Sequence, residues 1–246
     1  MKKKYKLTEE TLAVDGYVLH RIIALRDFGG VKKGDLGGFI EKESNLAHDL
    51  NCWIYNNAVV RGNTEVCGNA EVYGNAEVCG EAKVCGEAKV CGEAKVCGDA
   101  MVYGYAKVYG NAIVCGNAKV YGNAKVYGNA EVFCNTEVCG NAEVCGEAKV
   151  CGEAMVYGEA KVCGEAMVYG EAKVCGNAKV EKKSDYIVFK NWWSSGRYFT
   201  WTRSNDMWSV GCFYGTGEEL IKKAYADSEE KGREYARIVK YVKSIK

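Results

Sequence analysis

The chain has no proline and only 2 histidines in 246 residues, and it has no surplus of either charge. Its 33 Lys and Arg stand against 32 Asp and Glu, a formal net charge of +1. That balance lacks the basic bias of a nucleic-acid binder and the acidity of a nucleic-acid mimic. No run approaches the ~18 consecutive apolar residues that cross a membrane. The opening MKKKYKLTEETL carries lysines with no apolar stretch behind them, unlike a secretory signal. Without an export signal, the 14 cysteines imply a reducing cytosol in which thiols stay free.

What is abundant is glycine, 30 residues of it, and glycine is set in a repeat. Twenty-one valines, from Val60 to Val180, recur every six residues without a slip, and Ile54 extends the series backward. Two residues before each valine stands a small residue, Ala58, Thr64, Ala70 and onward to Ala178. The unit reads A-x-V-[C/Y]-G-[N/E]. Its first four positions alternate as a short strand does, and the Gly-polar pair marks a corner. Glycine supplies the positive φ a tight corner needs, and Asn tolerates that region better than most residues. So short a strand cannot bury its apolar side alone, so neighbouring repeats must stack.

The aliphatic residue, the small residue two before it and the unbroken register resemble the left-handed hexapeptide-repeat family. In that family three hexads close one triangular coil of 18 residues. The resemblance implies a mainly β protein, a left-handed parallel β-helix with roughly seven coils between residues 54 and 180. The chain departs from the family pattern in placing Cys or Tyr directly after the valine. On this model Ala and Val point inward, while the residue between them and the Cys or Tyr point outward.

The same geometry bears on the tract CGEAKVCGEAKVCGEAKVCG, with Cys79, Cys85, Cys91 and Cys97 six apart. Residues six apart fall on different faces and only residues 18 apart stack. Cys79 then lies under Cys97 and Cys115, while Cys85 stacks with Tyr103 and Cys91 with Tyr109. The four do not converge on a metal cluster. Parallel neighbours also sit too far apart for a disulfide, which needs Cβ atoms at ~3.8 Å. The thiols are read as scaffold, with soft-metal or redox chemistry along Cys79–Cys97–Cys115 as the alternative; no metal or cofactor is expected.

Three segments follow: a hairpin and cap over residues 1–45, the solenoid over 46–182, and a small α+β domain over 183–246. In the cap, Asp15-Gly16 between alternating apolar runs signals a hairpin over residues 5–26. Ile40, Leu46 and Cys52 keep the six-residue step of the small inward position. In the C-terminal segment, YIVFK, RYFTWTR and MWSVGCFY read as three antiparallel strands. Thr216-Gly217-Glu218-Glu219 matches a capping box that opens a helix. Tyr235, Ile238, Val239, Val242 and Ile245 form the stripe of a second helix.

Two sets of residues are candidates for binding. Trp192, Trp193, Arg197, Tyr198, Trp201 and Arg203 suit a planar, nucleotide-like ligand or a protein interface, or else the domain's own core. On one solenoid face Lys89, Lys107 and Lys125 stack as a mildly unfavourable like-charge run that could attract an anion, or form a solvated face. Elsewhere opposite charges adjoin, as in Glu65 with Lys83 and Glu131 with Lys149.

The segments LHRIIALRDFGGVKKGDLGGFIE, the VYGNA repeats and WWSSGRYFTWTRSNDMWSVGCFYGTGEELI together resemble phage- and prophage-encoded hexapeptide-repeat proteins. The repeat body is also similar to a YdcK-like bacterial family of putative transferases. The phage resemblance implies a binding protein in the host cytosol, with an anti-defence role against a host protein or a small anionic ligand; a structural spacer is the alternative. An acyltransferase of this fold would form a homo-trimer and use a histidine base. Only His20 and His48 are present, both in the N-terminal cap region ahead of the valine repeat, and no catalytic loop interrupts the repeat.

Overall fold

The structure, a computed structural model, describes residues 3–192 and 195–245. β1 (Tyr5–Val14) and β2 (Tyr17–Ala24) form the expected hairpin, turning at Asp15 and Gly16, both at positive φ. The register jumps between Leu7 and Thr11, so β1 bulges. A bulge on an outer strand blunts its free hydrogen-bonding edge. β3 (Leu36–Ile40) pairs antiparallel with β2 on one side and parallel with the first rung of the rod on the other. The cap therefore prolongs one face of the solenoid.

Twenty-two two-residue strands follow, β4 (Trp53–Ile54) through β25 (Lys179–Val180). Each pairs in parallel with the strand three places on, as Lys89 with Lys107 and Val90 with Val108. The result is three sheets wrapped around one axis, a β-solenoid of about eight turns with 18 residues in each. The count exceeds the expected seven because Ile40 and Leu46 already make a turn, lying level with Val60 and Val66.

That pairing also corrects the register of the cap. Ile40 and Leu46 occupy the valine position, twenty residues before their partners, and not the small position. Spacing becomes eighteen only when Trp53 pairs with Glu71. The two additional residues lie in the corner after Leu46, where Leu50 takes a φ of +48°.

Inside the rod, the inward-facing alanines and valines from Ala58 to Val180 are fully buried. Thr64 and Thr136 fill two small positions because each hydroxyl donates to the carbonyl three residues back, Arg61 O and Phe133 O, at 3.1 Å. Each hexad sends three N–H groups to the next coil, for example Lys89 N to Ala106 O, Cys91 N to Val108 O and Glu93 N to Gly110 O, all at 2.9 Å. The corners bring backbones into contact. At Gly110 the φ is +74°, and a Cβ would lie 3.0 Å from both N and O of Gly128. Asn56 and Cys134 also carry side chains at such corners, at φ of +55° and +65°.

The residues after the valines are half-buried more often than outward-facing, and Cys145, Cys163 and Cys175 are buried. They stack as columns: the Tyr103 and Tyr121 rings are 4.9 Å apart and 3° from parallel, and Tyr109 and Tyr127 repeat this at 4.9 Å and 1°. All 14 cysteines are free. Among the described residues no group of three His, Cys, Asp or Glu side chains is placed to hold a metal. Burial pushes the Cys52, Cys85, Cys115, Cys151, Cys163 and Cys175 thiols up, and Cys67 to about 12. Cys97 also rises, chiefly through its bond with the Cys79 thiol, whereas Cys79 falls.

The C-terminal sheet has four strands where three were expected: β26 (Tyr186–Lys190), β27 (Tyr198–Thr202), β28 (Met207–Val210) and β29 (Phe213–Gly215). Gly211, at φ +61°, folds MWSVGCFY into a hairpin. Alternation in β27 and β28 turns Phe199, Trp201, Trp208 and Val210 toward α1 (Gly217–Asp227) and α2 (Glu229–Ser244). Thr200, in between, faces the rod. Its hydroxyl accepts from Lys173 N at 2.9 Å, and Ser204 Oγ accepts from Lys179 N at 2.7 Å. These hydroxyls replace the alanine carbonyls that the next coil would have offered. Thr216 and Glu219 cap α1 reciprocally, at 3.2 and 2.8 Å. In α2 Tyr235, Val239 and Val242 are buried, while Ile245 lies just past the helix and is exposed.

Two predictions follow from this packing. Gly110→Ala and Gly170→Ala share the cost of a positive φ, ~1–2 kcal/mol, but a Cβ at Gly170 meets nothing within 4 Å. Gly110→Ala should therefore show the larger drop in chemical-denaturation midpoint; equal drops would contradict the close-approach account. The raised thiols contribute stability that is complete below the unfolded-state value of 9.0 and lost as pH rises toward their folded values. The thermal midpoint should fall from pH 9 upward, less steeply in a Cys67→Ala, Cys85→Ala, Cys97→Ala variant, and a flat profile would refute the assignment.

Candidate functional site

On one face of the rod the residues before the valines form the column Glu71, Lys89, Lys107, Lys125, Glu143 and Lys161. The like-charge run expected here is relieved by its ends. Lys89 Nζ donates to Glu71 Oε2 at 2.6 Å and Lys125 Nζ to Glu143 Oε1 at 3.0 Å, so both lean away from the middle. Lys161 also reaches Glu143, at 3.4 Å. Lys125 above all, then the Tyr127 hydroxyl and Lys161, holds the Glu143 carboxyl below the usual range. Lys107 is exposed, and among the described residues no carboxylate lies within ion-pair distance of it. Beside this column run the stacked Tyr109 and Tyr127 rings. The face thus presents one uncompensated ammonium next to an aromatic surface. Glu65 pairs with Lys83 at 3.7 Å and Glu131 with Lys149 at 2.9 Å, as expected.

The structure distributes the aromatic and arginine set differently from the expectation of one patch. Trp192 is 74% exposed, with Lys190 Nζ 4.0 Å from its ring and 4.9 Å from that of Tyr198. Arg197 is exposed nearby in sequence. Trp201 is 1% exposed, belongs to the core under the helices, and donates its indole N–H to Asp206 Oδ1 at 2.8 Å. Arg203 follows the other end of β27, about 16 Å from Tyr198 at the usual strand rise. Trp193 lies outside the described residues. Lys190, absent from the sequence-derived set, is the cation that meets these rings, because β26 pairs it directly with Tyr198.

The histidines are the remaining candidates. His48 stands in the expanded corner, where its Nδ1 accepts from Lys4 N at 3.2 Å and its Nε2 lies 2.9 Å from Glu43 Oε1. An acceptor role at Nδ1 places the proton on Nε2, which donates to Glu43. Lys3 first, and then His48, holds the Glu43 carboxyl below its ordinary value. The Tyr5 ring stacks on the imidazole at 4.4 Å. Its hydroxyl lies 2.7 Å from Glu43 O and 2.8 Å from Leu46 O, and burial raises its pKa. Lys4 is buried, donates to Cys52 O at 2.8 Å, and is lowered by that burial. The cluster fastens the first strand to the first corner. His20 donates Nδ1–H to Thr8 O at 3.2 Å. Nothing in the run MKKKYK singled out Lys4 or Tyr5, because their partners lie some forty residues away.

No family model matches the chain. Among curated proteins it is similar to an uncharacterized acetyltransferase, YdcK, of Escherichia coli (strain K12), at 44% identity over 69 residues. The match covers 24% of this chain and 21% of that protein, so the chain spans about a fifth of the relative's length. No helix among the described residues is long and apolar enough to cross a membrane. The stacked hexads and this partial likeness together fit a hexapeptide-repeat protein.

Proposed function

We propose that the chain is a non-catalytic binding protein whose rigid rod offers Lys107 and the tyrosines beside it to an anionic surface on a protein partner. The observation that carries this reading is the contrast within one column: Lys89 and Lys125 are neutralised by Glu71 and Glu143, and Lys107 is not. The stiff sheet fixes the backbone from which Lys107 projects, and aromatic neighbours add contact area. The resemblance of the terminal segments to phage-encoded chains makes a host protein the first partner class to test, in keeping with an anti-defence role.

The name of the partial relative favours acyl transfer as a second reading. The geometry weighs against it. A general base needs a free nitrogen lone pair within reach of substrate, and at His48 one nitrogen accepts from Lys4 while the other donates to Glu43.

Binding of a labelled acidic peptide, or of partners captured from host extract, should weaken about tenfold in Lys107→Glu. It should stay unchanged in Lys83→Glu, whose lysine already has a partner in Glu65. Equal affinities for the two variants would overturn the assignment. Steady turnover of acetyl-coenzyme A, lost in His48→Ala, would replace it with the second reading.

A further inference from the structure

A cavity of about 210 Å³ opens at the edge of the C-terminal core. Its wall includes Trp201, Trp208, Asp206, Gly217, Glu218 and Lys243. Trp201 and Trp208 are cross-strand partners on β27 and β28, so their indoles share the face that meets the helices. Trp201 already donates to Asp206. Trp208 is 2% exposed, and no acceptor meets its Nε1–H among the described residues. Its ring lines the cavity, so this N–H is available to an acceptor bound there.

Gly217 keeps that donor open. A Cβ at Gly217 would lie 3.1 Å from Trp208 Nε1 and 2.7 Å from Val239 Cγ1. Gly217 is also the first residue of α1, an 11-residue helix whose cap Thr216 turns its side chain to Glu219. The N–H groups of Gly217 and Glu218 have no intrahelical acceptors, as at every helix start, and the helix dipole adds positive potential there. Lys243 stands on the same wall. One side of the cavity therefore offers N–H donors and positive potential. The Asp206 carboxylate and the Trp201 indole also line the cavity and suit a cation, whereas Glu218 already lies 3.7 Å from Lys243.

We infer that this cavity binds a small zwitterion of the α-amino-acid class. Its carboxylate is received by Trp208 Nε1–H and the first turn of α1, and its ammonium by Asp206 and the Trp201 indole. The volume admits glycine, alanine or serine. The inference goes beyond the proposed partner binding and does not depend on Lys107.

The test is calorimetric titration of the full chain with glycine, L-alanine and L-serine, using acetate and ethylamine as single-charge probes. At least one amino acid should bind with a Kd below about 10 mM, and each single-charge probe should bind at least about tenfold more weakly. Trp208→Phe keeps an aromatic ring but removes the donor, and should weaken amino-acid binding about tenfold while cooperative unfolding is retained at a somewhat lower midpoint. Gly217→Ala should block the cavity, and Lys107→Glu should leave binding intact. Three results would overturn the inference: no heat with any amino acid, acetate binding as tightly as the zwitterions, or equal affinity in wild type and Trp208→Phe.

Discussion

Every coil of the rod donates its N–H groups to the coil that follows, at the Ala, Val and Gly carbonyls of each hexad. This ladder tolerates no change in length, because one added residue would turn the alternating side chains inside out. From Ala58 to Val180 the interior accepts only Ala, Val and two self-satisfied threonines. The corners accept glycine almost throughout, since successive turns touch backbone to backbone. The valine register runs unbroken through the rod because the coils share one period. Where the period does change, between Leu46 and Cys52, the corner expands and takes on the His48 network.

A ladder of this kind has two open ends, and the chain closes them by different means. At the start, β3 joins the first rung directly and the bulged β1 becomes the outer strand. At the finish, hydroxyls of Thr200 and Ser204 accept the N–H groups of Lys173 and Lys179. The C-terminal sheet can do this because its strands alternate aromatic residues toward the helices with hydroxyl residues toward the rod. One sheet thereby covers the solenoid and supports a core of its own.

The surface chemistry follows from the same spacing. Side chains 18 residues apart become neighbours, so lysines and glutamates pair along columns and the tyrosine rings stack nearly parallel. Such exposed pairs add little stability individually. Their effect here is to neutralise most of the face and leave Lys107 as the odd charge. The thiols are held in columns that keep them half-covered and, for most of those named above, less acidic than free cysteine.

The coil period, the inward Ala and Val, the divergence of the Cys79–Cys97 tract and the Asp15-Gly16 hairpin were all legible in the sequence, because each is set by local periodicity or turn chemistry. The cap of α1 was legible for the same reason. Other features depended on contacts between distant residues: Ile40 and Leu46 in the valine position, the Gly211 hairpin, the burial of Trp201 away from Trp192, and the pairing of Lys190 with Tyr198. The choice of Lys107 among three equivalent lysines belongs with these. The 18-residue period sets Lys107 between two lysines, but which way Lys89 and Lys125 lean is decided only by contacts between the stacked coils.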